Sequence, residues 1–589
     1  MRRGLSAVAA NGASSRTRLA PVTLAIVTAT AIALGLRFYQ LSRPGFLFGV
    51  TEYDDGTDFG SAIRLVTGAL PYRDFIIVQP PGITLLMVPA ALFTKVAGSS
   101  GALAIGRVLT VLASSAGVVL AGLLVRHRGL LAVMISCGLL AVFPDSVLTA
   151  KTVLLEPWLV LFCLAGAVAA FDRDRLAGNR RLAVAGLLFG FAGAIKVWAI
   201  LPVVVLLILA WRRRGRAAGT FGASVVAGFV VPVVPFAALA PVTFYRGVVV
   251  AQLLRTDVTR IPLGTRLVEM TGLTHTPGIM AALLGLVCGL LIVVIAGSCA
   301  LASRLTRRAP APLEWFALGS LALVAAAFLW PADFYYHYAA FLAPFLALSL
   351  ALPVARLAAA LADRRRPRAA SGLRGPAAPA PGNIPAPEKS AQDGAAPAPA
   401  GGPAPGGPAP DGSVPAADGS GRASRSRLPR PGPRSVAALP WLVGAVLIAF
   451  TALQAASVTS LTAAVPPSEI SAARHAIRPG ACVLADQVSY AMAADRFVSD
   501  VPGCSQMVDG VGTDYALSHG RNGTTGAAQS AAVRAVWQKA FRYAQYVWLT
   551  GLAYRRIPWT PGLHAYFRAH FVPVSKGPTL LYARRGRQR

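Results

Sequence analysis

The feature that most limits how this chain can fold is a series of apolar runs near residues 19–36, 102–125, 130–143, 157–171, 182–195, 197–211, 219–241, 277–302, 312–330, 338–358 and 436–456. A run of roughly 18 residues or more is long enough to cross a bilayer. Charged residues make up 14% of the 589, whereas a soluble domain carries about 25%. The runs predict a polytopic α-helical membrane protein with about eleven spans, several of them short for a lone crossing. No cleavable signal is expected, because the N-terminus lacks a small-residue cleavage site and runs straight into the first span.

The formal net charge of +32 is explained by arginines in short loops. With Arg2, Arg3, Arg16 and Arg18 placed in the cytoplasm, alternate loops are basic: "RHR" at 126–128, "DRDRLAGNRR" at 172–181, "RRRGR" at 212–216, "RLTRR" at 304–308 and "DRRRPR" at 363–368. The opposite loops, 37–101, 144–156, the turn around 196, 242–276 and 331–337, hold the acids and aromatics. Positively charged loops stay inside, so the N-terminus is expected in the cytoplasm and the C-terminus outside, in a multi-pass plasma-membrane protein. Nucleic acid is not expected as a partner, since no basic face interleaved with stacking aromatics occurs. Membrane lipids are.

Four regions follow. Residues 1–362 form the transmembrane module, and 363–435 form a Pro/Ala/Gly-rich cytoplasmic linker that lacks the apolar residues needed to offset ordering entropy. The last span is 436–456, and 457–589 return to soluble composition as a small extracytoplasmic α/β domain. In that domain "ACVLADQVSYAMAADRF" reads as strand, turn and helix, while "AQYVWLTG" and "PTLLYARR" read as strands. Cys482 and Cys504 are the cysteines outside apolar runs; they form either a disulfide, as an oxidising compartment favours, or two buried thiols. Cys137, Cys163, Cys288 and Cys299 sit in spans and read as packing residues.

The stretch "TEYDDGTDFG" gathers Glu52, Asp54, Asp55 and Asp58 just beyond the first span, in a chain with 24 acidic residues against 56 basic ones. An amphipathic helix, a turn at Gly68–Pro71 and an apolar helix after Pro80–Pro81 follow, and they read as lying along the outer membrane surface. Lys196 interrupts an apolar run at an outer turn, a costly position unless it faces a cavity or a partner. Glu156 opens the span after the 144–156 loop, with Lys151 nearby as a partner or phosphate ligand. Arg246, Arg255, Arg260 and Arg266 stand in an outer loop, against the usual bias, and suit contacts to a lipid phosphate or to anionic headgroups. "DFYYHY" at 333–338 brings His337 and an aromatic belt to the outer mouth of the later spans.

"YDDG…AIRLVTGALPYRDF…QPPG", with "KTVLLEPW", "GFAGAIKVW" and "YYHYAAFLAPFLALSLAL", resembles the GT-C membrane glycosyltransferases that use polyprenyl-phosphate sugars, over roughly the first 360 residues. Bacterial lipid A aminoarabinose transferases and protein O-mannosyltransferases are relatives of that kind. The resemblance implies a GT-C-like module that takes a polyprenyl-phosphate sugar donor and an extracytoplasmic acceptor. It implies that Asp54 is the general base and that Asp55 orients the acceptor or an ion. Lys196 would contact the donor phosphate, with Glu156 as the second outer-loop acid and His337 as a further phosphate contact. Arg64, Arg73 and Arg107 are weaker candidates for the same phosphate, one of them being expected to pair with Asp74 or Glu52. Glu52 and Asp58 read as flanking solvated charges.

No Walker A, HExxH or CxxC motif is present, no metal ligands are assigned, and a divalent-ion requirement is left open. The reading is an inverting sugar transfer on the outer face. Its rival is a transporter or flippase of a lipid-linked substrate, which favours mid-membrane charges and symmetry-related broken helices. A non-catalytic scaffold would leave the outer acids without a purpose.

Overall fold

The computed structural model describes residues 2–213, 215–254, 261–272, 281–331, 334–365, 438–521, 526–552 and 556–586. Arg255, Arg260 and the expected linker from residue 366 onward lie outside the described residues.

A helix occupies each apolar run: Arg2–Leu41, Thr94–Val125, Leu130–Val142, Leu155–Ala170, Asn179–Ile195, Ile200–Arg213, Gly215–Leu239, Ala281–Thr306, Pro312–Phe328, His337–Arg365 and Leu439–Thr459. Six helices among the described residues are long and apolar enough to cross a membrane. A seventh span arises if Leu130–Val142 and Pro144–Lys151, bent by 55°, count as one. The fold is thus mostly helical with six to seven candidate spans, fewer than the eleven expected. The reason is length. At about 1.5 Å per residue, the helices of 13 to 17 residues reach only about 20–26 Å, short of a ~30 Å hydrocarbon core.

Close helix approach builds the core. Asn179–Ile195 lies against Gly215–Leu239 so tightly that a Cβ on Gly190 would stand 2.2 Å from the Val225 carbonyl oxygen. Small residues at such crossings let backbones meet where apolar burial gives no drive in lipid. Lys196 stands in extended backbone (φ −150°, ψ 130°) just after that helix, and a short turn at Val197–Ala199 leads into the next. The chain therefore reverses on a lysine. Trp198, Phe328, Phe334 and Tyr338 surround the turn, with Trp198 and Tyr338 rings 4.2 Å apart.

Between the first long helix and the next lie the rim helix, Tyr53–Val66, and the apolar helix Gly82–Ala91. Both follow the expected helix–turn–helix order. From Asp55 to Arg64 every residue of the rim helix is buried. It is a wall between packed elements and not a solvated loop.

Residues 467–586 fold around a four-stranded sheet of β3 (Val483–Ala485), β4 (Tyr546–Leu549), β5 (Phe571–Lys576) and β6 (Leu580–Arg584), β1 and β2 being the short Phe171–Asp172 and Arg175–Leu176 pair. The order is β3-β4-β6-β5, with β3 parallel to β4 and the other pairings antiparallel. All four residues of β4 are buried, as expected for an apolar strand covered on both faces. Helices Ala531–Tyr543 and Pro561–His570 cover one face through Trp537, Phe541 and Phe567. Strand β5 was not expected; Pro573 and the register shift between Pro573 and Ser575 blur its alternation. Cys482 and Cys504 form a disulfide with Cα atoms 5.5 Å apart.

This C-terminal unit sits on the rim helix. A Cβ on Gly56 would fall 2.6 Å from the Ser489 amide nitrogen, so only glycine admits the approach. The Ser99 hydroxyl donates to the Met492 carbonyl at 2.8 Å, and Asp495 accepts from the Ser100 amide at 2.8 Å.

Candidate functional site

Where the rim helix, the helix starts at Leu155 and His337, the Lys196 turn and the C-terminal unit converge, they enclose a cavity of about 340 Å³. Its lining includes Asp54, Asp58, Glu156, Lys196, His337 and, from the C-terminal unit, Asp509 and Arg556.

The floor is one connected cluster. Glu156, 1% exposed, accepts through Oε1 from Lys196 Nζ at 2.6 Å and lies 2.8 Å from His337 Nδ1. The Lys196 ammonium also stands 3.7 Å from the Trp198 ring centroid and 4.7 Å from that of Tyr338. Carboxylate and aromatic faces together make this burial affordable for a cation. The other imidazole nitrogen of His337, Nε2, points to Asp54 Oδ2 at 3.8 Å. Lysine, glutamate, histidine and aspartate thus form one chain of contacts along the cavity.

Asp54 keeps half of its side chain exposed, 51%, and that half opens into the cavity. Burial by the surrounding protein raises its carboxyl above the usual range, while His337 and Lys196 oppose the rise. Asp58, one helical turn on, shares the same wall. It is buried, and its carboxylate has no hydrogen-bond or ionic partner among the described residues, the Ser61 hydroxyl donating to its backbone carbonyl instead; burial holds the carboxyl well above the ordinary range, with Asp54 and Glu156 adding to the effect. The expectation of a solvated flanking charge is corrected here. The i, i+4 spacing from Asp54 was the signal that would have found it.

Asp55 faces the other way. It is fully buried, is not part of the cavity lining, and is ion-paired to Arg107 while accepting from the Thr51 and Thr152 hydroxyls. Arg107 Nη1 also donates to the carbonyls of Phe46 at 2.6 Å and Leu47 at 2.9 Å. The position expected to orient an acceptor or ion is instead a staple behind the cavity wall. One residue of offset turns a helix by about 100°, which carries Asp55 to the packed side.

Two basic candidates are relocated as well. Arg64 lies under the C-terminal unit, 4.1 Å from the Phe497 ring centroid and 3.4 Å from the Ser505 carbonyl, and away from the cavity lining. Lys151 pairs with Glu52 at 2.6 Å, and Glu52 accepts from Tyr336 at 2.7 Å. Burial raises the Glu52 carboxyl, but Lys151, Tyr336 and His337 bring it below the usual range. Glu52 is therefore a paired group at the cavity edge. Arg73 pairs with Asp74 at the surface, Arg246 is exposed, and Arg266 is buried against the carbonyls of Ile261 and Phe328. Among the described residues no group of three or more His, Cys, Asp and Glu is arranged to hold a metal ion.

Sequence reading missed the roof. Tyr53, at the start of the rim helix, donates to Asp509 Oδ1 at 2.9 Å and accepts from the Val511 amide at 3.1 Å. Arg556 lies 4.9 Å from the Tyr53 ring centroid and donates to Gln487 at 2.7 Å. Nothing in the residue pattern links position 53 to positions more than 450 residues later.

The model of glycosyltransferase family 87 matches residues 78–330, a stretch holding Glu156 and Lys196 but neither Asp54 nor His337. Among solved structures, ArnT from Cupriavidus metallidurans bound to undecaprenyl phosphate is similar at 13% identity and a TM-score of 0.51, covering 95% of this chain and 97% of that one. The apo form of the same protein gives 13% identity and a TM-score of 0.50, with 95% and 98% covered. At that identity the likeness is one of fold. No curated protein matches the chain.

Proposed function

Taking as premise that the chain is a membrane glycosyltransferase of GT-C type, we propose that it transfers a sugar from a polyprenyl-phosphate donor to an extracytoplasmic acceptor at the plasma membrane. The observation that carries this reading is the cavity itself. A half-exposed carboxylate, Asp54, faces it beside a buried lysine and histidine held by one glutamate. The undecaprenyl phosphate named for ArnT supports a lipid-phosphate donor.

In a single displacement, Asp54 takes the proton of an acceptor hydroxyl as its oxygen bonds to the anomeric carbon. The bond from that carbon to the phosphate oxygen breaks on the opposite face, inverting the centre, and the electron pair leaves with the polyprenyl phosphate. Such a positioned base typically contributes ~10²–10⁴-fold. The leaving group is already a weak base, so it needs charge stabilisation more than a strong acid. Lys196 and His337 supply this, with Glu156 fixing both. Asp58, whose unpartnered carboxyl lines the same cavity, hydrogen-bonds a sugar hydroxyl.

The test is transfer in lipid vesicles from polyprenyl-phosphate mannose or arabinose by the wild-type chain and by Asp54→Asn. Loss of transfer in a variant that still folds and binds donor is the expected outcome. Undiminished transfer would remove Asp54 as the base. A wild-type chain that moves a lipid-linked sugar across the bilayer without transferring it would restore the flippase reading.

A further inference from the structure

We propose that the C-terminal unit is a working part of the reaction centre, and that Tyr53 is the positioning residue through which it holds Asp54 toward the cavity. The inference rests on the reading of Asp54 as base and adds what sets that base in place.

The rim helix starts poorly by itself. Its N-cap is Glu52, whose side chain makes no capping bond to the first turn. A helix start leaves four amides without intrahelical partners, and an uncapped end frays. Asp54 stands within that first turn. A base must be held within tenths of an ångström of its proton, so fraying there would disperse it.

The C-terminal unit does not cap those amides but pins the first turn from outside, through contacts on both sides of Asp54. The Gln487 amide donates to the Glu52 carbonyl at 2.9 Å. The Tyr53 hydroxyl is gripped between Asp509 Oδ1 and the Val511 amide, with Arg556 lying against its ring. Thr57 donates to the Val508 carbonyl at 3.3 Å, and Gly56 allows Ser489 to close on the backbone. Asp509 is itself fixed, because it caps helix Gly510–Leu517 by accepting from the Gly512 amide at 2.7 Å. The grip is therefore anchored in a second helix and is not a loose surface contact. Residues 52, 53, 56 and 57 are all held, and Asp54 is left to point into the cavity.

The experiment uses the full chain in lipid vesicles, with amide hydrogen exchange of residues 53–58 and transfer from undecaprenyl-phosphate mannose and arabinose read side by side. Tyr53→Phe removes one hydroxyl and its two bonds. It should raise exchange in that segment about tenfold, with the transmembrane helices unchanged. It should also lower kcat by about 10–100-fold while the donor KM stays within about twofold. Asp509→Ala should do the same, and Asp509→Asn, which keeps an acceptor oxygen, should recover kcat relative to Asp509→Ala. Unchanged exchange at 53–58 in Tyr53→Phe overturns the proposal whatever the donor. So does raised exchange with an unaltered kcat, or a loss that follows global unfolding and is not rescued by Asp509→Asn. Transfer that survives Asp54→Asn is the separate result that removes the base, and with it the reading on which the inference stands.

Discussion

On one side of the rim helix lies a cavity in which Asp54 shows half of its side chain; on the other, Asp55 is sealed against Arg107 with no exposure at all. Both regions hold a carboxylate, a cation and hydroxyl groups. They differ in what a ligand can reach. Around Asp55, Arg107 and the Thr51 and Thr152 hydroxyls close on Oδ2 and hold loop 46–51 to the helix Thr94–Val125, while Oδ1 is buried without a hydrogen-bond partner among the described residues and outside the cavity lining. Around Asp54 and Asp58 the partners are distant or absent, and capacity for hydrogen bonding remains for a ligand. A carboxylate sealed against a buried cation serves the packing; one that faces a cavity can meet a ligand.

That contrast can be broken in four ways. The largest effect should be that of Asp54→Asn on turnover, a loss of about 10²–10⁴-fold in the transfer assay with thermal unfolding nearly unchanged. Lys196→Met comes next, with a fall in kcat of about 10²–10³-fold, as for removal of one group that stabilises developing charge. Asp55→Ala should reverse the pattern. It leaves Arg107 buried without its counterion and should cost about 3–5 kcal/mol of stability, read by unfolding in detergent, while folded molecules still bind donor. An Asp55→Ala chain of wild-type stability that fails only in turnover would place Asp55 back in the reaction centre.

The smallest effect is one of pH. Burial raises the Asp54 carboxyl, and the base works in its ionised form. Transfer should therefore be present above that raised value and fall as the pH drops through it, with the acid limb of kcat above the ~3.9 of a free aspartate. A limb at or below the ordinary value would mean that another group titrates there.

Much of the membrane architecture was legible in the chain because it depends on apolar runs, and each run became a helix. The number of crossings was less legible. Runs such as 157–171 and 197–211 became helices of 16 and 14 residues, and composition alone does not tell a short helix inside a bundle from one that spans. At the site, Lys196 stood out as a charge interrupting an apolar run, whereas Asp54, Glu156 and His337, polar groups beside apolar segments, took their expected roles from the resemblance to GT-C enzymes. Asp58 could have been found from its helical spacing to Asp54. Arg64 misled for a related reason, since a basic residue beside an acidic cluster serves a protein interface as readily as a phosphate.

The sequence by itself determined that the chain enters a membrane, where its helices lie, and which few polar groups are too costly to be incidental. These are local properties, set by runs of side chains and the expense of burying charge. Only the tertiary structure decided that Glu156 joins Lys196 and His337, which are 40 and 181 residues away, that Asp54 opens to the cavity while Asp55 closes behind it, and that the C-terminal unit grips Tyr53. Those pairings depend on packing between distant segments and on one turn of a helix, and neither is written in any short stretch of the chain.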